Sequence, residues 1–300
     1  MKKKTYLFAL MAMVLTLGSC SDNENGIGGE TSKYITVSTS IGNMTRVATD
    51  EKGGQTFEEG DEISVYAWTG DATIAPDASE RVVNNAINKL TNGSWVSTPQ
   101  MLWKNNRDKH YFIGVYPTAA ISDLSAGEYT FDANKQTESD LLVAVNPDGL
   151  SYSADAQQTV PLTFTHVMAK LAVNLTYKNQ WGGIPTVEKV VVGNAAKEAT
   201  INYLTKVVTP STTAKEDFSL PEITENTKYV SVIIPQEEVT QLTIVIGGKN
   251  FVYDNGTPFK LESGKITTVN LEVGRDEIKL GDVKITNWED GSTFSGEALN

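Results

Sequence analysis

The sequence predicts an all-β protein built as two tandem antiparallel β-sandwich domains, and three features carry that expectation. Apolar residues recur at a spacing of two through most of the chain. Clusters of Gly, Asn and Pro punctuate these runs at short intervals, and no stretch between them has the length and periodicity of a crossover helix. At 300 residues the chain also exceeds what one small sandwich core requires, which points to two folded units.

The first alternating run covers 34–41, with Ile35, Val37, Thr39 and Ile41 on one face and Thr36, Ser38 and Ser40 on the other. Further candidate strands follow at 63–68, 111–116, 128–131 and 141–145. After a polar segment at 151–158, a fresh apolar run (Val160, Leu162, Phe164) places the division between the two domains at 160/161, giving units 34–160 and 161–300. The second unit offers strands at 171–177, 187–192, 200–208, 229–234, 242–246, 250–253, 269–273 and 279–285. Turn signals are Asn92-Gly93, Pro147-Asp148-Gly149, Gly182-Gly183, Gly247-Gly248 and Asn255-Gly256.

The amino terminus reads as an address. Lys2, Lys3 and Lys4 precede an apolar run at 6–17, and Leu17-Gly18-Ser19 leads directly to Cys20, the single cysteine of the chain. The run is short for a helix crossing a roughly 30 Å hydrocarbon core, so residues 1–19 are expected to be a lipoprotein signal peptide. Cys20 is then the lipidated residue, since acyl chains burying about 0.8 kcal/mol per CH₂ anchor a protein without a membrane span. Residues 20–33, rich in Gly, Asn and acids, are expected to form a flexible tether.

Composition narrows the chemistry. The net charge is −12, and a surface this acidic is a poor partner for nucleic acid, which needs Lys and Arg to neutralise phosphate. One Cys and two His leave no disulfide framework and no Cys/His zinc cluster, and neither a cofactor nor a metal is expected. The spacings GxSxG, HExxH, CxxC and GxxxxGK[ST] are all missing, and His110 and His166, each at the edge of a strand-like run, are expected to be hydrogen-bonded structural residues. Acidic neighbours such as Asp61-Glu62 and Glu237-Glu238 point to opposite faces of a strand and make no catalytic pair by adjacency. No enzymatic activity is expected.

Several motifs, taken in order, resemble one family. Phe57-Glu58-Glu59-Gly60-Asp61-Glu62-Ile63-Ser64-Val65 is similar to the F-x-x-G-D-x-I-x-V opening of fimbrillins, and Tyr111-Phe112-Ile113-Gly114-Val115-Tyr116-Pro117 to their F-x-A-Y-P strand. Phe164-Thr165-His166-Val167-Met168-Ala169-Lys170-Leu171 resembles the opening of their second domain, and Trp288-Glu289-Asp290-Gly291 their W-x-x-G ending. The chain thus resembles the fimbrillin family of type V pili across essentially its whole length.

That resemblance implies two transthyretin-like or Ig-like sandwiches, export as an outer-membrane lipoprotein exposed on the cell surface, and assembly with other fimbrial subunits into adhesive fimbriae. It also implies proteolytic cutting after Arg46, leaving Val47 as the new amino terminus and freeing strand 34–41. The groove that held Ile35, Val37 and Ile41 would then accept a strand from a neighbouring subunit, with 279–285 (Leu280, Val283, Ile285) as the matching donor and Trp288 as its anchor. Gly281-Asp282 interrupts the alternation there, so Ile278, Leu280 and Val283 are not expected on one regular face. The alternative is a monomeric surface lipoprotein that binds glycans or host proteins, for which the five Trp residues are the candidate contacts.

Overall fold

The computed structural model describes residues 33–42, 56–153, 158–239, 241–254 and 258–288. Cys20, Arg46, Val47 and the Asn255-Gly256 turn lie outside the described residues. The strands of the first half are β1 (Thr36–Ile41), β2 (Glu62–Thr69), β3 (Val83–Thr91), β4 (Ser94–Thr98), β5 (His110–Tyr116), β6 (Gly127–Thr130), β7 (Leu142–Leu150) and β8 (Thr159–His166). There follow β9 (Ala169–Tyr177), β10 (Val187–Ala196), β11 (Glu198–Asn202), β12 (Val207–Pro210), β13 (Lys215–Ser219), β14 (Glu222–Thr224) and β15 (Lys228–Ile233). The last are β16 (Gln236–Val239), β17 (Leu242–Ile246), β18 (Lys249–Tyr253), β19 (Phe259–Leu261), β20 (Lys265–Val273) and β21 (Ile278–Asn287). The one helical piece among the described residues is a 3₁₀ turn, Asn179–Trp181.

Seven strands form the largest sheet, in the order β1-β8-β7-β5-β2-β3-β4. A five-stranded sheet, β14-β15-β9-β20-β21, and a four-stranded sheet, β13-β10-β17-β18, dominate the second half. The expectation of an all-β chain holds, but the pairing is not purely antiparallel, since β1 runs parallel to β8 and β20 parallel to β9. Hairpin turns enforce antiparallel order only between neighbours in sequence, and these pairs are distant enough for either direction.

The seven-stranded sheet packs on both faces. In β2, Ile63, Val65 and Ala67 point into one apolar cluster with Ile35, Val37, Phe112, Leu162 and Phe164, while Tyr66 and Trp68 point into another. A strand buried on both sides reads as a near-continuous apolar run, as Ile63 to Trp68 does with Ser64 as its one polar member. The second cluster continues from Tyr66 and Ile113 into Leu171, Val190, Ile244 and Trp288. The described residues from Lys33 onward fall in one compact unit, and β6 pairs with β11 across the two halves of the sequence. The 160/161 division runs through β8, all of which belongs to the large sheet, and the chain changes sheet between His166 and Ala169.

Two local expectations are corrected, and one turn stands where it was expected. The run 200–208 is a hairpin rather than one strand: Asn202 Oδ1 accepts from the N–H groups of Leu204 (3.1 Å) and Thr205 (3.0 Å), turning the chain between β11 and β12. Pro147-Asp148-Gly149 lies inside β7, where the register shifts between His110 and Phe112 and the three residues are taken up as a bulge. Gly149 has φ 64 there, and a Cβ would sit 2.8 Å from the Tyr111 ring. Finally, β3 and β4 flank the Asn92-Gly93 turn, although the Asn-rich β3 shows little apolar alternation.

Candidate strand-exchange site

β1 is an edge strand. It pairs with β8 in register from Thr36↔Thr159 to Ile41↔Phe164, and Gly42 N–H extends the contact to Phe164 O at 2.8 Å. Hydroxyls tie the two strands on their outer face, with Thr36 and Thr159 sharing a hydrogen bond at 3.2 Å and Ser40 donating to Thr163 at the same distance. On the opposite flank only the start of the strand is held, where Ile35 N–H donates to Met101 O (2.9 Å) and Trp103 N–H to Lys33 O (3.2 Å). Beyond that point β1 faces β4, the other edge of the same sheet, across a cleft of about 590 Å³ lined by Phe57, Leu90, Trp95 and β1 itself.

The inward row of β1 enters the core. Ile35 is 2% exposed and Val37 6%, and Ile41 packs partly buried against the same cluster. At about 1.5–3 kcal/mol for each large apolar side chain, this row contributes several kcal/mol to holding the strand. Around it stands an aromatic cradle that the sequence reading passed over. Phe57 packs edge-on against Trp95 (5.3 Å), Tyr116 (5.3 Å) and Phe164 (5.1 Å). Trp95 Nε1 reaches across the cleft to donate to Thr39 Oγ1 at 3.0 Å. The available signal was Phe57 as the first residue of its motif, since Glu58 to Asp61 are turn chemistry and Ile63 and Val65 belong to the buried strand β2. Asp61 accepts from Glu58 N–H at 2.7 Å, and Gly60 has φ 97, which only glycine adopts at little cost.

β21 is the edge of the five-stranded sheet and pairs only with β20. The interruption expected at Gly281-Asp282 is a β-bulge, and its effect is opposite to the one the bare alternation suggests. Ile278, Leu280, Val283 and Ile285 face Val273, Leu271, Val269 and Thr267 in turn, so the extra residue brings all four onto one face. Asn270 holds the bulge by donating to Asp282 Oδ1 at 2.6 Å, and a Cβ on Gly281 would lie 3.1 Å from Asn270 O. Leu280 is partly buried, whereas Val283 and Ile285 remain 36% and 41% exposed.

Trp288 closes the end of this strand. It is 4% exposed, stacks on His166 at 4.1 Å and 8°, and lies under Lys170 Nζ at 4.3 Å, while its backbone N–H donates to Gly264 O. His166 Nδ1 meets Asp140 Oδ1 at 2.7 Å, and burial pulls the Lys170 ammonium below the usual lysine range, with Asp140 opposing. His110 is fully buried, with Nε2 accepting from Lys104 N–H (3.0 Å) and Nδ1 against Asp108 O (3.1 Å). Both imidazoles are thus built into packing. Of the five Trp residues, Trp68, Trp103 and Trp288 are buried. Among the described residues, no group of three or more His, Cys, Asp or Glu is placed to hold a metal ion.

The fold is that of an all-β protein with both of these end strands, β1 and β21, lying on sheet edges. The fimbrillin-like family model matches residues 45–288, and the chain belongs to that family. It is 24% identical over 315 residues to a protein named "Putative fimbrium subunit Fim1C" from Bacteroides uniformis, with 97% of each chain covered. Its fold is similar to the crystal structure of a "putative cell adhesion protein" from Bacteroides ovatus, with a TM-score of 0.61, 17% identity and coverage of 85% of this chain and 98% of that one. A fimbrial protein from Bacteroides vulgatus gives a TM-score of 0.52 at 12% identity, covering 84% and 99%.

Proposed function

We propose that the protein is a structural or adhesive subunit of a cell-surface fimbria, exported as a lipoprotein through Cys20, cut after Arg46 and assembled by β-strand exchange. Membership of the fimbrillin-like family supports the fimbrial role. The observation that carries the assembly route is the placement of β1: an edge strand paired along its length with β8 and held on the other flank by backbone bonds at its start, with a buried apolar row, and joined to the rest through the segment that contains Arg46. Loss of such a strand leaves both an apolar groove and the unpaired backbone groups of β8, and an extended segment from another subunit satisfies both. β21 is the donor of this reading, and its apolar residues Ile278, Leu280, Val283 and Ile285 are the ones available to refill the groove.

Mass spectrometry of surface material tests this reading. A species beginning at Val47 within high-mass polymers is the expected result, and Arg46→Ala abolishes it. Lipidated monomers alone, beginning at Cys20, would overturn polymer assembly and favour a solitary surface lipoprotein that binds glycans or host proteins.

A further inference from the structure

Resting on strand exchange at the β1 groove, we infer that Trp95 selects the strand that enters it, by requiring a hydrogen-bond acceptor at the third inward-facing position. The inward row of the resident strand is Ile35, Val37, Thr39 and Ile41, and Thr39 is its one polar member. Its hydroxyl accepts from Trp95 Nε1 at 3.0 Å, with both side chains half-buried. The indole is not free to turn elsewhere at no cost, because its ring packs edge-on against Phe57, itself wedged against Tyr116 and Phe164. Ser38 and Ser40, on the exposed face, make no such demand.

An indole N–H only donates. A strand with Val at the third position would match Thr in shape but leave this donor without a partner in a half-dry cleft, and sites built around a hydrogen bond discriminate strongly against the analogue that lacks it. The rule is therefore apolar, apolar, acceptor at two-residue spacing. Two registers of the chain's own last strand meet it once that strand is straight: Ile278, Leu280, Asp282 and Val283, Ile285, Asn287. A second copy of this chain is thus an admissible donor.

The test uses full-length protein cut after Arg46 by an arginine-specific protease and mixed with labelled peptides spanning residues 33–42. The native peptide and its Thr39→Ser form bind alike, and the Thr39→Val form binds roughly tenfold more weakly. On Trp95→Phe protein the three peptides bind within about twofold of one another. A Thr39→Val peptide that binds the Trp95 protein as well as the native one overturns the inference, as does a penalty that persists unchanged in Trp95→Phe; the Ser-against-Val contrast decides without that variant. If no peptide enters the groove, strand exchange itself fails there and the inference fails with it.

Discussion

Gly114 in β5 owes its place to a ring on another strand. A Cβ built on it would lie 2.6 Å from Phe164 Cζ and 3.1 Å from Leu162 Cδ1, in a core where both neighbours are essentially fully buried. Gly114→Ala is therefore an overpacking change, expected to cost about 1–3 kcal/mol in urea unfolding. His110 carries a different kind of constraint. Burial holds its imidazole below the usual histidine range, with Asp108 only partly offsetting, and Nε2 needs its lone pair to accept from Lys104. Because the folded state binds the proton more weakly than the unfolded one, the stability from neutral His110 is complete above about pH 6.5 and is lost as pH falls through the folded-state value. Urea midpoints for wild type and His110→Gln should differ most at neutral pH and converge in mild acid; a difference that does not change with pH would contradict this.

At the scale of elements, the functional reading turns on whether β1 can leave. Thr36 and Thr159 are register partners whose hydroxyls touch at 3.2 Å, so Thr36→Cys combined with Thr159→Cys places two thiols on adjacent strands. Oxidation of that pair should block polymer formation, and reductant should restore it, with polymers scored by size-exclusion chromatography. Polymers that form normally with the crosslink closed would show that β1 stays in place during assembly. The same scale exposes where alternation misleads. Pro147-Asp148-Gly149 has turn composition yet lies inside β7, and Gly281-Asp282 breaks the period of β21 yet keeps its apolar residues on one face. In both cases a bulge absorbs the extra residues, and only the partner strand reveals that.

For the molecule as a whole, the acidic surface and the sole thiol at Cys20 bear on where the protein works. Cys20→Ala is expected to move the precursor out of the membrane fraction, and partition unchanged from wild type would remove lipidation from the account. Period-two patterning and the lack of helical stretches were enough to predict an all-β chain, because each strand's alternation is a local property set by which face is buried. The motifs from Phe57 to Trp288 were likewise sufficient to indicate the family, since turn residues and core aromatics are read one segment at a time. What no single segment contains is which strands meet. The parallel seat of β1 on β8, the cleft that sets Trp95 against Thr39, the pairing of β6 with β11 and the stacking of Trp288 on His166 all join residues far apart in sequence. Those contacts depend on how whole sheets pack, and only the tertiary structure decided them.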